Sequence, residues 1–392
     1  MTLPTLPLPA SPHGLTYARA RLFLGITAVG SAVVLASSLL YAQLPSWGMS
    51  MSEVQSVAAA LLQIGIAFAA VQVAFQIVDL MGGVWLVRRR DGAFRWLARW
   101  ARGSAVQWMV WMCSAAALLL AARAGGTPAA VAAFIGVQLW LAATRGRMAR
   151  VITSLPVVPT PERIQQAAAA AGLNPSRVQV VDSPDESFVG GWAGITARTL
   201  VVPALWAQLP EPALRAMLLR RRVAATSGAH TRGVIGAVLW NVLGFVVSLA
   251  LTGVTPASAA GMVTLAAAMT LWAFLGVLVL PTPSRAAVFA LDAAATAEGG
   301  AAPMREGIER LDRWQDDEPV RSVGVETIFH PVPGRTARIA RLVGNANAVR
   351  WWHAHHVARH ALWLGWGACT PLSRAVHCNV GRPALWAMLP GD

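Results

Sequence analysis

Lysine is missing from this chain of 392 residues, and all 32 of its basic residues are arginine. Charge of either sign is also scarce, since 13% of the residues are charged, about half the share that is usual in soluble domains. Hydrophobic residues make up 56% of the chain. This composition excludes an ordinary soluble domain and predicts an integral membrane protein in the lipid bilayer. The net charge of +14 comes mainly from arginines at the ends of apolar runs, so we expect no nucleic-acid partner.

Cysteine is scarce as well. Cys113, Cys369 and Cys378 are too few and too scattered for a disulfide framework or a four-cysteine zinc site. The motif HExxH, in which two histidines one helical turn apart can hold zinc, is absent. The N-terminal stretch MTLPTLPLPASPHG is rich in proline and has no charged n-region, which argues against a cleavable signal peptide.

Long apolar runs divide the chain, because a membrane span needs about 20 apolar residues. We predict six spans, at roughly residues 20–44, 56–87, 104–123, 128–144, 233–254 and 259–281. The resulting regions are a Pro-rich N-terminal segment (1–19), a four-helix transmembrane region (20–144), a first polar part (145–232), a two-helix transmembrane insertion (233–281), a second polar part (282–345) and a Trp/His-rich C-terminal extension (346–392).

The links between the spans predict the orientation, since arginine accumulates on the cytoplasmic side. The link VRRRDGAFRWLARWARG after the second span is rich in arginine, whereas the link PSWGMSMSE after the first contains none. We therefore expect a multi-pass protein of a bacterial-type inner membrane, with both termini and both polar parts in the cytoplasm.

The second span has a polar face. Gln72, Gln76 and Asp79 are spaced i, i+4 and i+7, so they share one side of a helix. Polar groups in a span usually face protein rather than lipid. Two interpretations remain: hydrogen bonds to other helices of the same chain, which is the commoner case, or a contact with another membrane subunit.

Four short motifs in the polar parts resemble those of a known family. They are DSPDESFVGG (182–191), TLVVPALWAQL (199–209), SRAAVFALD (284–292) and HPVPGRTARIARL (330–342). Their order, with two spans between the second and third, is similar to that in the membrane-embedded zinc metallopeptidases of the HtpX and CAAX-prenyl-protease type. The resemblance covers residues 155–345. It implies a mainly α-helical membrane protein, with about six spans and a cytoplasmic α+β metallopeptidase-like domain.

In that family HExxH supplies two zinc-binding histidines and a glutamate general base. The resemblance places this motif on residues 220–224, within LPEPALRAMLLRRRVAATSGAHTRG. The first histidine is then Arg220, the base Arg221 and the second histidine Ala224, while the third ligand, a glutamate of a later helix, is Val288. Arginine stays protonated and cannot bind a metal. The resemblance thus implies a pseudo-peptidase that is not an enzyme and holds no metal cofactor.

Other family positions are retained, namely Ser284, Arg285, Asp292, His330, Pro331 and Arg338. The spacing from His330 to Arg338 is two residues longer than in the family. We expect Asp292 to pair with Arg220 or Arg221 and to replace the metal as the link between two helices. The acidic run Asp312, Asp316, Asp317 and Glu318 is either a solvated loop or a second source of compensating charge.

The C-terminal extension is rich in tryptophan and histidine. Its stretch RWWHAHHVARHALW predicts that His353, His356 and His360 share a helical face, and further on His377 adjoins Cys378. We favour an amphipathic segment on the membrane surface or on a partner. A metal or haem-type site at these histidines is the alternative.

Three functions remain open from the sequence. The first is an inactive scaffold, assembly factor or accessory subunit of a membrane protein complex, which could hold a peptide or a partner's tail in the former substrate groove along a strand edge. The second is an active zinc endopeptidase with relocated ligands. The third is a cofactor-binding or transport subunit, for which Asp79 and the histidines of the extension are the only support.

Overall fold

The structure is a computed structural model that describes residues 17–86, 92–315, 322, 324–326, 330–342, 350–365 and 379–386. Several residues of the sequence analysis lie outside these ranges. They are most of the Pro-rich segment, the arginines at 88–90, Asp316, Asp317, Glu318, Cys369, His377 and Cys378.

Long apolar helices form the larger part of the molecule. Five of the described helices are long and apolar enough to cross a membrane: α1 (Tyr17–Tyr41), α3 (Val57–Ala74), α5 (Ala93–Thr153), α8 (Ala229–Thr252) and α9 (Ala259–Val279). Short α2 (Leu44–Gly48) follows α1. Large apolar side chains such as Leu62, Leu239 and Leu251 are mostly exposed, as expected where hydrocarbon chains replace water. The prediction of a multi-pass membrane protein is supported.

Helix α5 is a hairpin of two arms. Its 61 residues include two with non-helical backbone, Gly125 and Gly126, and the second has a φ of 65° that favours glycine. A Cβ atom on Gly103 would lie 3.1 Å from the carbonyl oxygen of Ile152. In an uninterrupted helix these residues would be about 73 Å apart. The two arms therefore fold back on each other and contain the third and fourth predicted spans. The number of six crossings stays a prediction.

The second predicted span is not one continuous helix. Helix α3 ends before Phe75, and α4 (Gln76–Leu80) is followed by a π-helical turn (Met81–Trp85). Two glycines in this turn are in close contact with other parts of the chain. A Cβ atom would meet the carbonyl oxygen of Val380 at Gly82, and the indole of Trp96 at Gly83, each at 2.2 Å. Tertiary packing thus accounts for the irregular backbone, as is common at π-turns.

A four-stranded sheet lies in the polar part of the chain. Its order is β1 (Val157–Val158), β2 (Val178–Val181), β4 (Thr199–Pro203) and β3 (Gly191–Ala193). Strand β2 runs parallel to β4, and the two outer strands pair antiparallel with their neighbours. The valine-rich segments suit strands because β-branched side chains pack well on a pleated surface.

Helices cover the sheet and extend from the spans. They are α6 (Glu162–Ala170), α7 (Glu211–Thr226), α10 (Pro281–Gly299), α11 (Ala301–Gln315), α12 (Arg335–Ala340) and α13 (Val357–Leu364). Two residues, Ser227 and Gly228, make the turn from α7 into α8, and Gly228 has a φ of 73°. The largest core cluster joins Phe188 and Val201 of the sheet region to Phe134 and Phe245 of the spans. The division of the chain into six regions remains a prediction.

Candidate functional site

Helices α7 and α10 pack against each other in antiparallel register. A Cβ atom on Gly299, at the end of α10, would lie 3.0 Å from Leu219 Cδ2, and Arg220 contacts Asp292. One turn further along each helix, this register brings Ala224 opposite Val288. By this register, the two positions that the resemblance assigns to the second histidine and the third ligand are on facing turns of α7 and α10.

We call Arg220, Arg221, Ala224 and Val288 the degenerate site. All four are fully enclosed, with exposed fractions of 1%, 1%, 0% and 0%. Ala224 lies in a small apolar cluster with Ala229 of α8 and Leu291 of α10. The site is thus a packed interior rather than an open cleft.

A buried ionic cluster links three helices at this site. Arg220 Nε lies 2.5 Å from Asp292 Oδ1, and Arg338 of α12 donates from Nε to Oδ2 at 2.7 Å and from Nη2 to Oδ1 at 2.9 Å. All three side chains are buried. The predicted pairing of Arg220 with Asp292 is confirmed, and the second arginine, Arg338, was not anticipated as its partner.

The carboxylate of Asp292 is held in its charged form. Burial by itself would raise the pKa of Asp292, but the attraction and the hydrogen bonds of Arg338 and Arg220 outweigh burial and lower the pKa below its usual value. Asp292 therefore carries its negative charge at neutral pH and lies between two cations.

Arg221 is directed away from this cluster. Its Nη2 donates to the carbonyl oxygen of Val189 at 3.2 Å, and its guanidinium carbon lies 5.5 Å from the ring centre of Trp206. The indole of Trp192 on β3 donates to the Arg221 carbonyl oxygen at 2.7 Å. The residue at the general-base position thus joins α7 to the sheet and contacts an aromatic face.

The residues at the degenerate site do not fit a zinc ion. Zinc needs histidine nitrogen, cysteine sulfur or carboxylate oxygen as ligands. Guanidinium groups have no free lone pair for a metal, and Ala224 and Val288 have no donor atom. Asp292, the one carboxylate, is engaged by Arg220 and Arg338. We therefore derive no metal-dependent step from this site.

The retained motif residues surround the same helix pair. Ser284 is fully buried and lies one turn before Val288 on α10, while Arg285 is half-buried. His330 is buried and Pro331 adjoins it, four residues before α12 begins. Asp312, at the end of α11, pairs with Arg335 of α12 at 3.4 Å, so this acid of the acidic run does not reach the degenerate site.

The histidines of the extension do not share a helical face, and that prediction is wrong. His356 has a φ of 52° and lies immediately before α13, so the helix begins after it, and His353 precedes it in a turn. His356 and His360 are buried. Within the described ranges no three His, Cys, Asp or Glu side chains are grouped so that they could hold a metal.

His360 has a cationic partner instead. Arg145 Nη1 lies 2.5 Å from His360 Nδ1, and the ring of His230 on α8 packs edge-on at 5.1 Å. Burial, and after it the nearby charge of Arg145, lowers the pKa of His360 well below its usual value. The imidazole is neutral and accepts a hydrogen bond from the guanidinium.

The described extension is interior rather than peripheral, which corrects the amphipathic surface segment expected from the sequence. The side chains of α13 that are buried include Trp363 and Leu364, and Gln138 and Asn241 donate to its carbonyl groups. Among the described residues before α13, Arg350, Trp351 and Trp352 are exposed, the two tryptophans at 77% and 46%. Helix α13 is hydrogen-bonded to spans α5 and α8 and packs tightly on α8.

Residues 379–386, which we call the tail segment, connect the spans to the sheet region. Arg382 forms a two-pronged ion pair with Asp185, at 2.7 Å and 2.5 Å, and both side chains are buried. The indole of Trp96 on α5 donates to the Gly381 carbonyl oxygen at 2.7 Å. No sequence signal pointed to Asp185 or Arg382, because they are 197 residues apart in the chain.

The polar face of the second span contacts this same tail segment. Asp79 accepts hydrogen bonds from the amide of Gly381 at 2.9 Å and from the indole of Trp100 at 3.0 Å. Gln72 is buried, and Gln76 is half-buried. The contacts of Asp79 agree with the first of the two interpretations, hydrogen bonding within the chain.

The β3 edge of the sheet is covered. All three residues of β3 are buried, although β3 is one of the two outer strands of the sheet. A Cβ atom on Gly146 of α5 would lie 2.9 Å from the Ala193 Cβ, and His230 lies 2.8 Å from the Gly194 carbonyl oxygen. A peptide could not add to this edge unless α5 moved, so among the described residues the β3 edge does not form an open groove.

Comparison with known proteins agrees with this architecture at the level of the fold. No protein-family model and no curated protein sequence matches the chain. Among solved structures it is similar to the crystal structure of Ste24p from S. mikatae, with a TM-score of 0.66 and 13% sequence identity, over 83% of this chain and 86% of that one. The chain is thus a multi-pass membrane protein with a Ste24p-like fold.

Proposed function

We propose that the chain is a catalytically inactive, metallopeptidase-like membrane protein that acts as a scaffold, assembly factor or accessory subunit of a membrane protein complex. The observation that supports this is the buried cluster of Arg220, Asp292 and Arg338, formed where the family resemblance places the first zinc ligand. A dication next to these guanidinium groups would be repelled rather than bound.

Metal analysis combined with a cleavage assay tests the loss of activity. Purified protein should contain far less than one zinc per chain and should not cleave a casein-like substrate in a chelator-sensitive manner. Stoichiometric zinc together with chelator-sensitive cleavage would overturn the proposal and favour an active endopeptidase with relocated ligands.

Restoring the motif tests whether residues 220–224 are the former metal site. The variant Arg220→His, Arg221→Glu, Ala224→His, Val288→Glu should bind stoichiometric zinc, because facing turns of α7 and α10 then supply three ligands. The matched control carries the α7 changes one residue later, as Arg221→His, Arg222→Glu and Ala225→His, with Val288→Glu. If both variants are folded and bind equally little zinc, the motif has been placed wrongly.

The partner is expected to contact the membrane-facing surface rather than the strand edge, since β3 is covered. Residues of α3 such as Leu62, Ile66 and Val73 expose more than half of their side chains.

The distribution of arginine supports a bacterial-type inner membrane with cytoplasmic termini. Purification in a gentle detergent, followed by mass spectrometry, should yield a membrane protein in stoichiometric amount. An unrelated membrane protein purified in the same way serves as the control. If the chain brings down no membrane protein in larger amount than this control does, the scaffold role is contradicted.

A further inference from the structure

A groove of about 740 Å³ lies between α1, α8 and α9, a volume typical of ligand sites. Its upper end is formed where α1 and α8 end and α9 begins, near Gln43, Ser46 and Thr252. Its lower part is formed by α9 residues such as Leu271 and Leu275. The groove therefore runs from the end of the spans into their apolar middle.

The polar residues of the lining are confined to its upper part, where apolar residues such as Leu39, Met51 and Leu251 also line it. Its polar residues are Gln43, Ser46, Ser248, Thr252 and Thr264. Below Thr264, the residues that α9 contributes are alanine, leucine and tryptophan, and the lining contains no charged residue. The groove thus combines uncharged hydrogen-bonding groups at one end with a hydrocarbon-like lower part.

The length of the groove matches one leaflet of a bilayer. From Thr264 to Leu275, α9 rises by about 16 Å. Half of the hydrocarbon core of a bilayer is about 15 Å thick. A chain lying in the groove would therefore extend over the same depth as the lipid tails around it.

The walls are held in place by contacts within the protein. The indole of Trp272 donates to the Trp240 carbonyl oxygen at 3.0 Å and stacks on the Trp240 ring at 4.6 Å. At the upper end, the amide of Ala260 donates to the Ser50 carbonyl oxygen at 3.2 Å, which fixes the loop after α1 to the start of α9. The site is preformed, so an occupant would not have to order it.

A second cavity nearby lacks this polarity. It has a volume of about 420 Å³ between α1, α3 and α9, and Thr270 is its only polar lining residue. An occupant there would meet one hydroxyl, that of Thr270, which already donates to the Ala266 carbonyl oxygen at 2.9 Å. The contrast selects the first groove as the site for an amphipathic molecule.

We propose that the groove between α1, α8 and α9 binds an acyl chain of a membrane lipid whose headgroup has no net charge and hydrogen-bonds to the polar rim. An anionic head would find no counter-charge in the lining. Arg123, at the same end of the spans, donates to the carbonyl oxygens of Ala257 and Gln55 and does not line the groove. This site is independent of whether the degenerate site is inactive.

Photo-crosslinking of the full chain in phosphatidylcholine nanodiscs tests the proposal. A trace of phosphatidylcholine with a diazirine in its tail should label residues 247–254 and 264–275 several-fold more than other membrane-facing peptides. Diacylglycerol with the same tail should label them equally, and anionic phosphatidylglycerol should label them less. Uniform labelling of all membrane-facing helices, or a preference for phosphatidylglycerol, would overturn the proposal.

Two variants and a control locate the label. Ala268→Trp fills the groove and should reduce labelling about tenfold, whereas the milder Ala268→Leu should reduce it about threefold. Leu243→Trp adds the same indole to an exposed position of α8 outside the groove lining and should leave labelling unchanged. Unchanged labelling in a folded Ala268→Trp protein would show that the groove is not the site.

Discussion

Two buried aspartates organise different parts of the molecule. Asp292 is shared by Arg220 and Arg338 within the metallopeptidase-like region, so one negative charge serves two cations. Asp185 forms an ion pair with Arg382 and fixes the tail segment to the sheet region. Nearby arginines lower the pKa of both carboxyl groups against the effect of burial. In the Asp292 cluster one carboxylate thus serves two cations, whereas the tail contact pairs one carboxylate with one guanidinium.

The largest effect is expected when the shared carboxylate is removed. Asp292→Ala leaves both Arg220 and Arg338 buried without their carboxylate, and loss of one partner of a buried ion pair costs about 3–5 kcal/mol. We expect a large loss of thermal stability in detergent, or failure to obtain monodisperse protein. A variant as stable as the parent would show that this cluster does not hold α7, α10 and α12 together.

The pair of Asp185 and Arg382 should respond differently to double substitution. Asp185→Ala and Arg382→Ala should each cost about 3 kcal/mol, but the double variant should recover part of this loss because neither member of the pair then remains buried without the other. The double variant Asp292→Ala, Arg220→Ala should recover less, since Arg338 stays buried. Thermal unfolding of the parent, the single variants and the double variant of each pair measures this difference. Equal recovery of stability in both double variants would contradict it.

Acid should weaken both contacts. The pKa of each aspartate in the folded protein is lowered from an ordinary value of 3.8. The stabilisation is therefore complete well above pH 3.8, declines as the pH falls below it, and is lost once the folded protein also binds the protons. Between pH 7 and pH 3, the unfolding temperature should fall more steeply for the parent protein than for the Asp185→Ala, Arg382→Ala variant. Parallel curves would argue against this linkage.

A smaller effect is expected at the edge of the tail segment. Trp96→Phe removes the hydrogen bond to the Gly381 carbonyl oxygen but keeps an aromatic ring beside Gly83, so it should cost about 1 kcal/mol. Limited proteolysis of the C-terminus should become moderately faster. No change in either proteolysis or stability would mean that the contacts of Asp79, Arg382 and Arg21 hold this segment without the Trp96 hydrogen bond.

The smallest effect is expected at the exposed pair of Arg222 and Glu298. These side chains are 27% and 50% exposed, so Glu298→Ala should cost no more than about 1 kcal/mol. This variant is the matched control for Asp292→Ala, because both remove an acid of α10 that faces an arginine of α7. A loss as large as that of Asp292→Ala would remove the distinction between the buried and exposed pairs.

Much of the fold could be predicted because its signals are local. Apolar runs indicated where the spans lie, and arginine-rich segments indicated where they end. The ordered motifs located the helices of the degenerate site and predicted the contact between Arg220 and Asp292. The errors concern features that depend on contacts between distant residues. They are the break in the second span near Phe75, the start of α13 after His356 and the covered edge of β3.

The sequence by itself determined that this is a membrane protein and that it contains no HExxH motif, because composition and residue identity do not depend on folding. The tertiary structure decided what Arg220 and Arg221 contact, that the extension is interior and that Arg382 meets Asp185. Residues about 200 positions apart are brought together only by the path of the whole chain, and burial then selects pairs whose charges compensate.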